Sequence, residues 1–124
     1  MERLPICMAD AMSIQSLASL MREQVHSLTL QLLERIRCLH RVGYTHGDLK
    51  PQNICLSKDE KTDELTLYLI DFGMAQSFLD KRGQHRRQRS LNLFKGNLLF
   101  ASTHQCQMGM RSRRDDFESI FYFH

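Results

Sequence analysis

Between Ser27 and Arg41, the apolar residues Leu28, Leu32, Leu33, Ile36 and Leu39 recur at intervals of three and four, the spacing that gathers side chains on one face of a helix. Arg37 and Arg41 lie near its end, and Gly43 just beyond can leave the helix with a positive φ. A helix buried on one face is thus required, and that face must be covered. The leucines read as core rather than as a cofactor or membrane surface.

A polar loop around Gly47 to Asn53 precedes the apolar run Ile54, Cys55, Leu56; Ser57 to Glu64 is a charged turn, and Leu65 to Ile70 is apolar and β-prone. Two short strands joined by a turn follow from this pattern, with Asn53 just before the first and Asp71 just after the second. Upstream, Ile14 to Gln24 has helical composition with Leu17, Leu20 and Met21 as a face, and Leu4 to Met8 reads as a short extended stretch. From Phe72 to about Asn92 there is no periodicity, which predicts a long mobile loop. Asp115 to Phe123 opens a second apolar helix, whose Phe117, Ile120, Phe121, Tyr122 and Phe123 need a partner surface. The chain reads as cut from something larger.

Composition narrows the class. With 124 residues, 42% apolar and 25% charged, one soluble domain or part of one is expected. No run of 18 or more apolar residues occurs, and the opening residues lack the apolar stretch of a secretory signal. The expectation is an intracellular protein of cytoplasm or nucleus with no membrane partner. Cys7, Cys38, Cys55 and Cys106 form no C-x-x-C pair, so they read as reduced, mostly buried thiols rather than a zinc site or disulfide framework. His26, His40, His85, His104 and His124 have no metal-ligand spacing and read as surface or packing residues. The net charge of +3 is modest, and its one local concentration is the K-R-G-Q-H-R-R-Q-R run from Lys81 to Arg89. Without interleaved aromatic residues this run reads as a solvated loop, and no nucleic-acid partner is expected.

His46 to Asn53 reads H-G-D-L-K-P-Q-N, and Asp71, Phe72 and Gly73 follow 18 residues beyond Asn53. This pair of motifs resembles the protein kinase catalytic loop H-R-D-x-x-x-x-N and the later D-F-G. With each identity expected at roughly one in twenty by composition, a joint chance match is negligible. Phosphoryl transfer asks mainly for positioning and charge neutralisation around a polyanion, which explains why these residue types are needed. The resemblance implies that Asp48 orients the attacking hydroxyl and takes its proton, that Lys50 sets a cation near the transferring phosphate, and that Asn53 and Asp71 bind ATP through Mg2+. It implies structural support from His46, Phe72 and Gly73. Lysine within D-L-K-P-Q-N is the serine/threonine form, so protein substrates with serine or threonine acceptors are implied.

Gly96 to His104, G-N-L-L-F-A-S-T-H, and Ser112 to Ser119, S-R-R-D-D-F-E-S, resemble the casein kinase 1 pattern, with Asp116 as the carboxylate that braces the catalytic loop from beneath. The implied fold is α+β, a partial protein kinase domain: a mainly helical large lobe with a short β-hairpin at the catalytic loop and the small lobe missing. On this alignment residues 1–16 are hinge-like, 17–43 helical, 44–73 the catalytic loop and D-F-G hairpin, 74–110 the activation segment, and 111–124 the start of the buried helix. Three positions depart from the pattern. Gly47 replaces the arginine that couples the loop to a phosphorylated activation segment, Asn97 replaces a threonine, and Leu99 replaces an arginine that binds acidic or primed substrates, a task for which Arg86, Arg87 and Arg89 are substitutes. No G-x-G-x-x-G and no V-A-I-K-like strand occurs in the 124 residues. The rival expectation is a catalytically inactive kinase-like module that binds a protein partner.

Overall fold

The computed structural model of the chain describes residues 6–8, 22–90 and 92–122. The helical reading of 14–21 and the placement of Phe123 lie outside the described residues. The elements in chain order are β1 (Ile6–Cys7), α1 (Arg22–Arg41), β2 (Tyr44–Thr45), a 3-10 turn (Pro51–Asn53), β3 (Ile54–Lys58), β4 (Leu65–Leu69), β5 (Gln76–Ser77), α2 (Thr103–Cys106) and α3 (Arg113–Phe121). They fall into two compact units: Met1–Arg35 with Pro51–Ile70, and Ile36–Lys50 with Asp71–His124.

In the first unit, α1 is helical from Arg22, the first described residue of this stretch, and no glycine or proline interrupts 22–27. Leu28 and Leu32 are buried, as the three-four spacing requires. The sheet has the order β1-β3-β4, all antiparallel, and the predicted hairpin pairs Ile54 with Leu69 and Lys58 with Leu65. Its turn is organised by Asp59, whose Oδ1 accepts from the amides of Lys61 (2.8 Å) and Thr62 (2.9 Å). Those two amides stabilise the charged form and hold the Asp59 carboxyl below its ordinary value. Along the outer edge of β4, the Gln31 side chain of α1 acts as a backbone surrogate: Nε2 donates to the Leu65 carbonyl and Oε1 accepts from the Leu67 amide, each at 2.9 Å.

In the second unit, α1 ends where the sequence places its stop. Gly43 has φ +89°, its amide donates to the His40 carbonyl at 3.0 Å, and a Cβ there would lie 2.7 Å from Leu79 Cδ1. Only glycine suits both demands. The stretch from Phe72 to Asn92 is not the featureless loop expected: β5 pairs antiparallel with β2, and isolated bridges join Leu79 to His85 and Ser90 to Gly109. A two-residue strand is too short to show alternation in sequence. The Asp80 carboxylate builds the intervening turn by accepting from the amides of Arg82 (2.8 Å) and Gln84 (2.9 Å).

The helix expected from Asp115 begins instead at Arg113. Asp115, at its third position, accepts from the Ser112 amide at 2.6 Å, a capping arrangement that extends the helix back to the serine. Asp115 also accepts from Ser102 Oγ at 2.6 Å, and Ser102 in turn caps α2 by accepting from the Gln105 amide. The thiols correct the expectation of burial: none of the four cysteines is in a disulfide, but Cys38 and Cys106 are exposed, Cys55 is buried and Cys7 is intermediate. Cys38 faces away from the apolar stripe of α1, where a small hydrophobe is tolerated.

Candidate active site

The loop His46–Lys50 is held by one carboxylate. Asp116, 2% exposed on α3, accepts from the amides of His46 (Oδ2) and Gly47 (Oδ1), each at 2.9 Å, and its Oδ2 lies 2.8 Å from His40 Nε2. Two successive amides on the two oxygens of one carboxylate fix the loop's direction as well as its position, since charge-assisted bonds of this kind are short and strong. His40 completes the set from α1, its ring edge-on to Phe117 at 5.4 Å and to Phe78 at 6.4 Å. His46 is fully buried, and its Nδ1 accepts from the Asp48 amide at 3.3 Å. Its ring lies 5.2 Å from that of Phe72.

With the backbone so restrained, Asp48 and Lys50 form a half-buried pair, Lys50 Nζ donating to Asp48 Oδ2 at 2.7 Å. Leu49 between them is 2% exposed, so the loop is also anchored by a buried apolar side chain. Asp71 is exposed and adopts φ +60°, a left-handed conformation costly for a residue with a Cβ. Its Oδ1 accepts from the Gly73 amide at 3.2 Å, which turns the chain sharply at Phe72. Asn53 belongs to the first unit, where it is 4% exposed and its carbonyl accepts from the Ile70 amide at 3.0 Å, closing the open end of the hairpin.

Of the positions singled out in sequence, His46, Asp48, Lys50, Asp71, Phe72, Gly73 and Asp116 belong to the second unit and Asn53 to the first. Two residues of the same neighbourhood escaped the sequence reading. His40 was grouped with surface or packing histidines, and nothing local marks a partner 76 residues away. Arg111 is 4% exposed and donates to the carbonyls of Met74 and Lys95. The surrounding run Arg111, Ser112, Arg113, Arg114 masks its burial in the sequence. Asn97 accepts from the Leu99 amide at 2.9 Å, and Leu99 itself is 79% exposed.

A catalytic-type loop braced by a buried aspartate and followed by a sharply turned D-F-G defines a protein kinase domain, and the protein kinase domain family matches residues 5–104. The chain belongs to that family. Within it, the chain is 36% identical over 95 residues to a probable serine/threonine-protein kinase of Dictyostelium discoideum, covering 77% of this chain and 19% of the relative. It is 35% identical over 100 residues to a casein kinase 1-like protein of Oryza sativa, covering 79% of this chain and 14% of the relative. It is 34% identical over 92 residues to the serine/threonine-protein kinase spe-6 of Caenorhabditis elegans, covering 74% and 24% respectively. The chain thus spans less than a quarter of each of these relatives. Among the described residues no helix is long and apolar enough to cross a membrane.

Proposed function

We propose that this chain carries the catalytic loop and metal-holding segment of an ATP-dependent protein serine/threonine kinase of casein kinase 1 type. The observation that carries the reading is the double acceptance of the His46 and Gly47 amides by Asp116, with Asp48 and Lys50 paired just beyond. In this reading Asp48 orients the acceptor hydroxyl and receives its proton, while Lys50, already 2.7 Å from that carboxylate, screens it and faces the transferring phosphate. Asp71 and Asn53 fit Mg2+ by chemistry, since a carboxylate and an amide oxygen are the hard donors this ion takes alongside water and phosphate. Asp71 is exposed and commits only Oδ1 to Gly73, which leaves Oδ2 for the ion. Bound Mg2+ would neutralise charge on the ATP phosphates; everything else here is positioning by the chain itself.

Protein substrates with serine or threonine acceptors complete the proposal. Leu99 replaces a cation with an exposed apolar side chain, so acidic or primed sequences would be recognised elsewhere if at all. The depression lined by Lys81, Arg86, Arg87 and Arg89 has the charge for it. The second reading, a non-catalytic module binding a protein partner, is favoured by Phe121, 76% exposed at the end of α3.

Mg2+-dependent transfer of the ATP γ-phosphate to a serine peptide distinguishes the two. Asp48→Asn is expected to lower kcat by about 10²–10⁴-fold with the fold intact, and Asp71→Ala to abolish the Mg2+ dependence. A folded wild-type protein that transfers no phosphate, or that transfers it equally well with Asn at 48, would leave the partner-binding module as the better reading.

A further inference from the structure

Gly47 and Gly96, far apart in sequence, share a neighbour. A Cβ at Gly47 would overlap Arg111 Nη1 and lie 2.8 Å from its Cζ, and one at Gly96 would lie 3.4 Å from Nη2. Both glycines have positive φ, +78° and +131°. The guanidinium therefore occupies the space into which a side chain at 47 would project, and it does so while 4% exposed. From there Nη1 donates to the Met74 carbonyl at 2.6 Å and Nη2 to the Lys95 carbonyl at 2.5 Å. A charge buried this far costs several kcal/mol unless it is well paired. Burial pushes the Arg111 guanidinium below its ordinary value, and the charges of Asp116, Asp48 and Asp115 oppose that shift. One side chain thus touches the loop that carries Asp48, both ends of the 74–95 segment, and the field of three carboxylates.

We propose that Arg111 is a positioning residue: a built-in cation that ties the segment following D-F-G to the catalytic loop, in the space that a side chain at Gly47 would fill. Its geometry needs a planar fork, because two carbonyls from distant residues are met by two nitrogens of one rigid group. A lysine has the charge but not the fork. The effect of this tie on phosphotransfer rests on the kinase reading above; the tie itself does not.

The test compares Arg111→Lys and Arg111→Met with the unaltered protein by amide hydrogen exchange and by peptide phosphorylation. Arg111→Met is expected to speed exchange across 72–96 by at least about tenfold while the strands 54–58 and 65–69 keep theirs. Arg111→Lys should recover only a minor part of the protection. In the phosphorylation assay kcat should fall with the KM for ATP unchanged. Wild-type exchange in Arg111→Lys or Arg111→Met overturns the proposal, as does loosened exchange with unchanged kcat in an active enzyme, which would make Arg111 merely structural. If Arg111→Met unfolds throughout, Arg111→Lys decides by the same criterion. A wild-type protein without activity defeats the kinase reading alone, and the exchange data still decide the tie.

Discussion

The two units solve burial differently. Among the described residues, the first hides Leu28, Leu32, Ile54, Cys55 and Leu67 with Asn53 as their one buried polar companion, whereas the second hides five apolar residues together with nine polar or charged ones. An apolar core gains stability from each methylene it removes from water, whatever the partner. A polar core gains only if every group finds its particular partner, and an unmatched one costs the full desolvation. The first unit is therefore tolerant in detail, and the second is specified in detail: Asp116 serves two amides and His40, and Asp115 serves Ser102, Ser112 and the start of α3. On the proposed kinase reading such specificity has a use, because a catalytic loop misplaced by an ångström loses most of its rate.

Substitutions can break or sharpen this contrast. The largest expected effect is that of Asp116→Ala, which strands two loop amides and His40 and should destabilise the second unit by about 3–5 kcal/mol, read by urea denaturation. Exchange at Thr45–Leu49 should accelerate long before that at β3 and β4; simultaneous loss would mean that the units do not differ as described. Leu32→Ala, removing a 3%-exposed side chain, should cost about 2–4 kcal/mol. The same measurement reads it, but phosphotransfer per folded molecule should be unchanged, since Leu32 belongs to the apolar core of the first unit. The smallest effect is that of Leu99→Arg. At a 79%-exposed site it should alter stability by less than about 0.5 kcal/mol. A competition assay between peptides should nevertheless show a several-fold gain for the acidic one.

The same contrast explains what could be read from the sequence. The long helix and the hairpin were legible because their signals are local: leucines at three-four spacing, and two apolar runs around a charged turn. The identities and spacing of His46, Asp48, Lys50, Asn53 and the D-F-G residues mark the candidate site, because the proposed chemistry calls for those residue types in that order. Arg111 and His40 were not legible, since an arginine among arginines and a histidine at a helix end gain their meaning only from partners brought near by folding. The β2–β5 pairing escaped for a different reason: two residues cannot display a period of two. Capping also moved the start of α3, because Asp115 acts there as an acceptor for the preceding serine rather than as the first residue of an apolar stripe.

One small device in the first unit has a wider consequence. An outer strand with vacant amides and carbonyls invites another chain to add itself as the next strand, the first step toward aggregation. On β4 the carbonyl of Leu65 and the amide of Leu67 are already occupied by the carboxamide of Gln31. A single glutamine on the helix thereby denies a second copy of the protein two of the bonds with which it would begin to polymerise.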